Sequence, residues 1–188
     1  ESVDVNGQTV DLDQRTGQVP SSSLVTGLNQ INHDHFLYNN GLFIHNSWQQ
    51  LNGAWYYFGV NGVAQTGWYQ SPAGNWYYFN AAGQAETGWQ SINGRWYLFD
   101  NNNANAYTGW FQSDYGNWYY FDPYNAWADT DWQFLNGTWY YFDPTNAWMD
   151  LNRTLNYNWQ QVMGEYWNSS SIAIQLQRNG AEYATTNN

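Results

Sequence analysis

Five times in succession a tryptophan opens a unit, at Trp48, Trp68, Trp89, Trp110 and Trp132, and a second follows at Trp55, Trp76, Trp96, Trp118 and Trp139. Each second Trp is followed by Tyr and then a mostly aromatic pair, as in Trp76-Tyr77-Tyr78-Phe79 and Trp118-Tyr119-Tyr120-Phe121. A period of about 20–22 residues marks a repeat architecture, in which each unit buries its apolar face on its neighbour. Asn52-Gly53, Asn93-Gly94 and Asn136-Gly137 between the two Trp of a copy are hairpin-turn dipeptides flanked by β-formers. A second turn closes each copy, at Asn61-Gly62, Ala82-Gly83, Asn101-Asn102-Asn103, Asp122-Pro123 and Asp143-Pro144. The sequence therefore predicts an all-β solenoid of stacked β-hairpins, spanning residues 47–60, 66–80, 87–100, 108–122 and 130–143. A lone hairpin is barely stable in water, so stability must come from stacking along the array.

Composition narrows what such an array can do. Aromatic residues make up 21% of the chain while Leu, Ile and Val are scarce, so ring stacking has to supply most of the buried surface, at about 150–250 Å² per ring. The cations are Arg15, Arg95, Arg153 and Arg178, with no Lys, and the formal charge is −11. Such a body repels a phosphate backbone, which excludes nucleic acid as a partner; it is better suited to cationic ligands or neutral sugars. The absence of Cys removes disulfides, thiol catalysis and Cys-type zinc sites. No apolar run is long enough to span a membrane, and the first residues lack the basic and apolar regions of a signal peptide. If the native protein is exported, this chain begins after that segment, and the Glu1 start and Asn187-Asn188 end suggest a fragment.

Three regions are expected. Residues 1–46 read as degenerate capping repeats, with Leu28 and Phe36 at the two Trp positions. Residues 47–150 hold the five aromatic repeats. In residues 151–188 the register fails, and Ser171 through Gln177 alternates as a strand would before Asn179-Gly180.

Gly-Trp, a short spacer, Gly-x-Trp-Tyr-Tyr, a turn and Thr-Gly-Trp again resembles the cell-wall-binding repeats of Gram-positive bacteria. That group includes choline-binding modules and the glucan-binding repeats of glucansucrases. The resemblance covers residues 26–150 and implies a non-catalytic, cofactor-free module of a secreted, surface-associated protein. The implied partner is a wall polymer: teichoic acid, choline or an α-glucan polysaccharide. Retention of the second Trp is the choline-binding pattern. The resemblance further implies ligand cages between successive hairpins, each made of both Trp of one copy and the first Tyr of the next. These are Trp48 and Trp55 with Tyr77; Trp68 and Trp76 with Tyr97; Trp89 and Trp96 with Tyr119; and Trp110 and Trp118 with Tyr140. Trp132 and Trp139 lack a following strand and are not expected to form a fifth. Alternation along a strand turns Trp76 and Tyr77 to opposite faces. Because aliphatic residues are few, many rings must form the core, and Tyr78, Phe79, Tyr120 and Phe121 are read as structural. The sequence departs from the family at Ser47 and Asp131, where Gly is usual, and at Tyr107, Trp127 and Trp148, where a Met or small apolar residue is common.

Other signals are weaker. His33-Asp34-His35 lacks a third ligand and reads as surface residues rather than a metal site. Asp129 and Asp131 read as solvated turn acids rather than the facing pair that a glycosidase needs. Ser171 through Tyr183 is similar to the first strand pair of penicillin-binding-type serine hydrolases but carries no catalytic motif. Two alternatives to an anchoring module remain: the glucan-binding region of an extracellular enzyme, such as a serine hydrolase or glucansucrase, and a passive adhesin spacer.

Overall fold

The computed structural model describes residues 1–165, with side chains to residue 160; the expected strand at Ser171 to Gln177 and the hydrolase-like segment lie outside the described residues. Among the described residues fifteen strands, a single 3-10 turn at Ser21–Ser23 and one α-helix follow in chain order. They are β1 (Ser2–Val5), β2 (Gln8–Asp11), β3 (Gly27–Ile31), β4 (Asp34–Asn39), β5 (Leu42–Phe43), β6 (Ser47–Leu51), β7 (Ala54–Phe58), β8 (Gly67–Gln70) and β9 (Trp76–Phe79). Then come β10 (Gly88–Ile92), β11 (Arg95–Phe99), β12 (Gly109–Gln112), β13 (Trp118–Phe121), β14 (Asp131–Leu135), β15 (Thr138–Phe142) and α1 (Leu151–Glu165). The five expected hairpins are present as separate two-stranded sheets from β6–β7 to β14–β15, and residues 26–150 contain no helix. The chain divides into two compact units, residues 1–90 with 99–106, and residues 91–98 with 107 onward.

Turn chemistry sets the hairpin register. Asn52 and Gly53, Asn93 and Gly94, and Asn136 and Gly137 all have positive φ, the pair of left-handed residues that a two-residue hairpin turn requires. A further left-handed residue precedes the first Trp of each later copy: Gly67, Gly88, Gly109 and, in the last, Asp131 at φ 61°. This explains the family's Gly and makes Asp131 a strained substitute. Before Trp48 the left-handed residue is Asn46, one position earlier, so Ser47 needs no Gly.

Within each unit a hairpin has two unlike faces. In β8–β9, Trp68 pairs across the ladder with Tyr78 and Tyr69 with Tyr77. Trp68, Trp76 and Tyr78 thus share one face, and Tyr69, Tyr77 and Phe79 the other. The Trp face of one hairpin receives the Tyr/Phe face of the next: Trp48 lies 4.7 Å from Tyr77 and 5.7 Å from Phe79, centroid to centroid. The terminal Phe of every aromatic run, Phe58, Phe79, Phe99, Phe121 and Phe142, is no more than 1% exposed. The connecting loop is tied to the previous hairpin, as Ala85 N donates to Trp55 O at 2.8 Å and Ala106 N to Trp76 O at 2.8 Å.

The N-terminal residues differ from isolated hairpins. Strands β1 to β5 form one sheet in the order β2-β1-β3-β4-β5. Leu28 pairs with Leu37, and Ala64 N bonds to His35 O at 2.8 Å as Ala85 N does to Trp55 O. The residue equivalent to the second Trp is therefore His35, not Phe36, since a one-residue slip reverses which face a side chain takes.

Two substitutions test this account by denaturant unfolding. Phe121→Ala is expected to cost about 3–5 kcal/mol. Asp131→Gly is expected to stabilise by roughly 1 kcal/mol, because it relieves a left-handed side chain.

Candidate functional site

The first predicted box is closed on three sides by rings. Trp48 and Trp55 meet edge to face at 6.4 Å and 81°, and Tyr77 packs on Trp48 at 4.7 Å. A cavity of about 350 Å³ opens between them, lined by Trp48, Trp55, Asn75, Tyr77, Asn103 and Asn105. The same arrangement recurs in the second unit, where Trp110 stands 6.1 Å and 84° from Trp118 and 4.9 Å from Tyr140. Trp68 and Trp76 form the same edge-to-face pair at 6.0 Å and 87°. Their expected partner, Tyr97, belongs to the second unit, and Trp89 and Trp96 are likewise divided between the units.

Exposure separates the roles of the rings. The Phe rings are sealed, whereas Trp89, Trp96, Trp110 and Trp118 keep 37–39% of their surface in water. Half-open aromatic walls beside a sealed core are what a ligand surface needs. The second Tyr of copies one, two and four has a definite packing role, since Tyr57, Tyr78 and Tyr120 lie about 5 Å from Trp48, Trp68 and Trp110 and back those rings across the ladder. Among the first Tyr, burial raises the phenol pKa of Tyr97 and of Tyr119.

Distant loops fix the walls. Trp55 Nε1 donates to Asn102 O at 2.7 Å, and Trp96 Nε1 to Thr145 O at 3.0 Å. Each indole is thus held by the loop that closes the second copy further along the chain. That loop is itself pinned, because Asp100 Oδ1 accepts from Asn102 N and Asn103 N at 2.8 Å each. Asn75, Asn103 and Asn105 were not legible as site residues. Their only signal was the Asn-rich turn itself.

The family departures have distinct fates. Tyr107 packs 5.2 Å from Phe111 beside the second unit's core. Trp127 lies under the Arg95 guanidinium at 4.0 Å. Trp148 remains exposed. Asp129 is a correction to the expected solvated acid: burial, reinforced by the Asp122 carboxylate, pushes its pKa up to about 6 against the Trp127 hydrogen bond and the Arg95 charge. Asp131 is exposed. Beyond the last hairpin, Tyr157 of α1 reaches Trp132 at 4.6 Å and Trp139 at 6.2 Å, where no ring was expected. Among the described residues no helix is long and apolar enough to cross a membrane.

Residues 45–85 and 86–125 match the choline-binding repeat family, and residues 130–145 match the cell wall binding repeat. The chain belongs to this family of cell-wall-binding repeat proteins. CbpJ from Streptococcus pneumoniae is 30% identical, with a TM-score of 0.60 over 66% of this chain and 42% of its own. Choline binding protein F from the same organism is 31% identical, with a TM-score of 0.61 over 75% of this chain and 47% of its own. A second structure of that protein, in the presence of a tetrasaccharide-pentapeptide peptidoglycan analogue, matches at 30% identity and a TM-score of 0.60, over 74% of this chain and 46% of its own. The chain thus spans less than half the length of these relatives. Among curated proteins no sequence matches it.

The shifted acid makes a pH prediction. A carboxyl whose folded pKa lies above its unfolded value binds the extra proton in the fold, so its penalty grows as pH rises from about 4 to 6 and is full above that. Asp129→Asn removes the penalty. Its melting temperature is expected to exceed that of the parent at pH 7, with the gap closing toward pH 4.

Proposed function

We propose that the chain is a non-catalytic module that anchors a secreted protein to the bacterial surface, binding a wall polymer through aromatic boxes between successive hairpins. The observation that carries this reading is the box of Trp48, Trp55 and Tyr77, three ring faces and edges around an open cavity of about 350 Å³. A quaternary ammonium cannot hydrogen-bond, but π faces attract it, at about 1–2 kcal/mol for a desolvated contact. Choline groups on a wall teichoic acid would present such cations in series. The net charge of −11 favours them over the whole surface. In this reading the ligand contacts are Trp48, Trp55, Tyr77, Trp110, Trp118 and Tyr140, with Trp68, Trp76, Tyr97, Trp89, Trp96 and Tyr119 as further candidates. Residues 1–46 serve as an N-terminal cap to the repeats of 47–150. The parent protein is a larger secreted, surface-associated protein, and a wall-active enzyme is one form it could take.

A second reading has one observation in its favour. Asn75, Asn103 and Asn105 line the same cavity as the rings, and amides beside a flat aromatic face suit the hydroxyls of a stacked pyranose. This reading makes the ligand an α-glucan.

Titration with choline and with isomaltooligosaccharides, followed by Trp fluorescence, distinguishes the two. Choline is expected to give the saturable change, and Trp48→Ala or Trp110→Ala to weaken one class of site about tenfold, the equivalent of one lost ring contact. Response to the glucan alone would favour the second reading, and response to neither would favour a spacer. A polymer bearing many choline groups is expected to bind 10²–10⁴-fold, as an order-of-magnitude range, more tightly than free choline. The purified chain is expected to release no product from peptidoglycan or glucan; turnover would overturn the non-catalytic reading.

A further inference from the structure

Among the described residues no sixth hairpin follows β14–β15, yet its Trp face meets a partner. Helix α1 takes the place of the missing repeat group by group. In the earlier copies the next hairpin brings a tyrosine ring to the first Trp, at 4.7 Å for Trp48 and 4.9 Å for Trp110. Here Tyr157 does so at 4.6 Å from Trp132. In the earlier copies the next loop donates an amide to the carbonyl of the second Trp, as Met149 N does to Trp118 O at 2.7 Å. Here the Asn158 side chain donates to Trp139 O at 2.9 Å. Thr154, 3% exposed, accepts from Tyr141 N through Oγ1 at 2.9 Å. Positions 154, 157 and 158 fall on one face of a helix, since residues three and four apart are neighbours there.

We propose that Trp132, Trp139 and Tyr157 form a further binding site, additional to those the repeats supply, for a quaternary ammonium group. The proposal rests on the reading that the boxes take such cations. Tyr157 stands within reach of both Trp rings, at 4.6 and 6.2 Å, and Trp139 keeps 37% of its surface open. The mouth is more apolar than in earlier copies. The residue paired across the ladder with the second Trp is Gln50, Gln70 or Gln112 in copies one, two and four, but here it is Phe134, 5.2 Å from Trp139 and 59% exposed.

A cation already occupies the edge of this face. The Arg153 guanidinium lies 3.8 Å over Tyr141 and 6.0 Å from the Trp132 centroid. Its position sets a positive charge against the faces of these rings, the geometry of a cation–π contact. The same charge opposes a ligand cation, so this site binds more weakly than the Trp48 box, and Arg153 sets how much more weakly.

The test is a titration of the full chain with tetramethylammonium, read from the indole N–H resonances of Trp48, Trp55, Trp132 and Trp139. Saturable shifts are expected at all four, with weaker affinity at the last two. Tyr157→Phe keeps that pair responsive, Tyr157→Leu weakens it at least tenfold without changing the Trp48 pair, and Arg153→Gln tightens it a few-fold. Slow exchange of the Tyr141 amide reports that α1 stays docked. Should Tyr157→Leu release the helix, Trp139→Gln removes a wall from the hairpin side and is expected to abolish the Trp132 response. Shifts at Trp48 and Trp55 with none at Trp132 and Trp139 would overturn this site alone. Silence at all four would overturn it together with the ammonium reading of the boxes.

Discussion

Packing of the first Trp of one hairpin against the Tyr/Phe face of the next is the contact on which the remaining structure depends. It exists because every copy carries two unlike aromatic faces, one ending in Trp and one in Phe. With few aliphatic side chains available, this ring-on-ring contact is both the cement and the periodicity. A two-faced unit is never finished, because each addition buries one face and leaves another. At the C-terminal end α1 solves this by reproducing a ring, an amide donor and a hydroxyl acceptor on one helical face.

The same contact explains how a core can also be a binding surface. The Phe at the end of each run is sealed and holds the unit together, while the Trp three positions earlier stays partly in water. Rings left open are useful only if they cannot collapse. Trp55 and Trp96 are held by indole hydrogen bonds to loops 47 and 49 residues further along. Prior fixing of the walls lowers the ordering cost of binding, which is what the proposed boxes need if several are to hold a weak ligand together.

How much was legible follows from how local each feature is. The hairpins, their turns and the opposed directions of Trp76 and Tyr77 rest on neighbouring residues, and Asn-Gly pairs with two-residue alternation announce them. The pairing of Trp48 with Tyr77 was legible only through the family pattern, because it joins two copies. The contributions of Asn103 and Asn105 to the first cavity were hidden, since an Asn-rich turn gives no sign of which earlier copy it reaches. Helix α1 was missed because Leu151 onward is rich in Asn and Gln, and what holds it are contacts of Thr154, Tyr157 and Asn158 to β14 and β15. The environment of Asp129 was misread for a related reason: a turn acid looks solvated until Asp122 and the packed chain around it are in place.

A crystal structure of the chain grown with choline tests the central claim most directly. The account predicts trimethylammonium density between Trp48, Trp55 and Tyr77, and between Trp110, Trp118 and Tyr140, with the buried Phe row unmoved. Choline found away from these rings, or boxes closed by collapse of the Trp side chains in its presence, would contradict it.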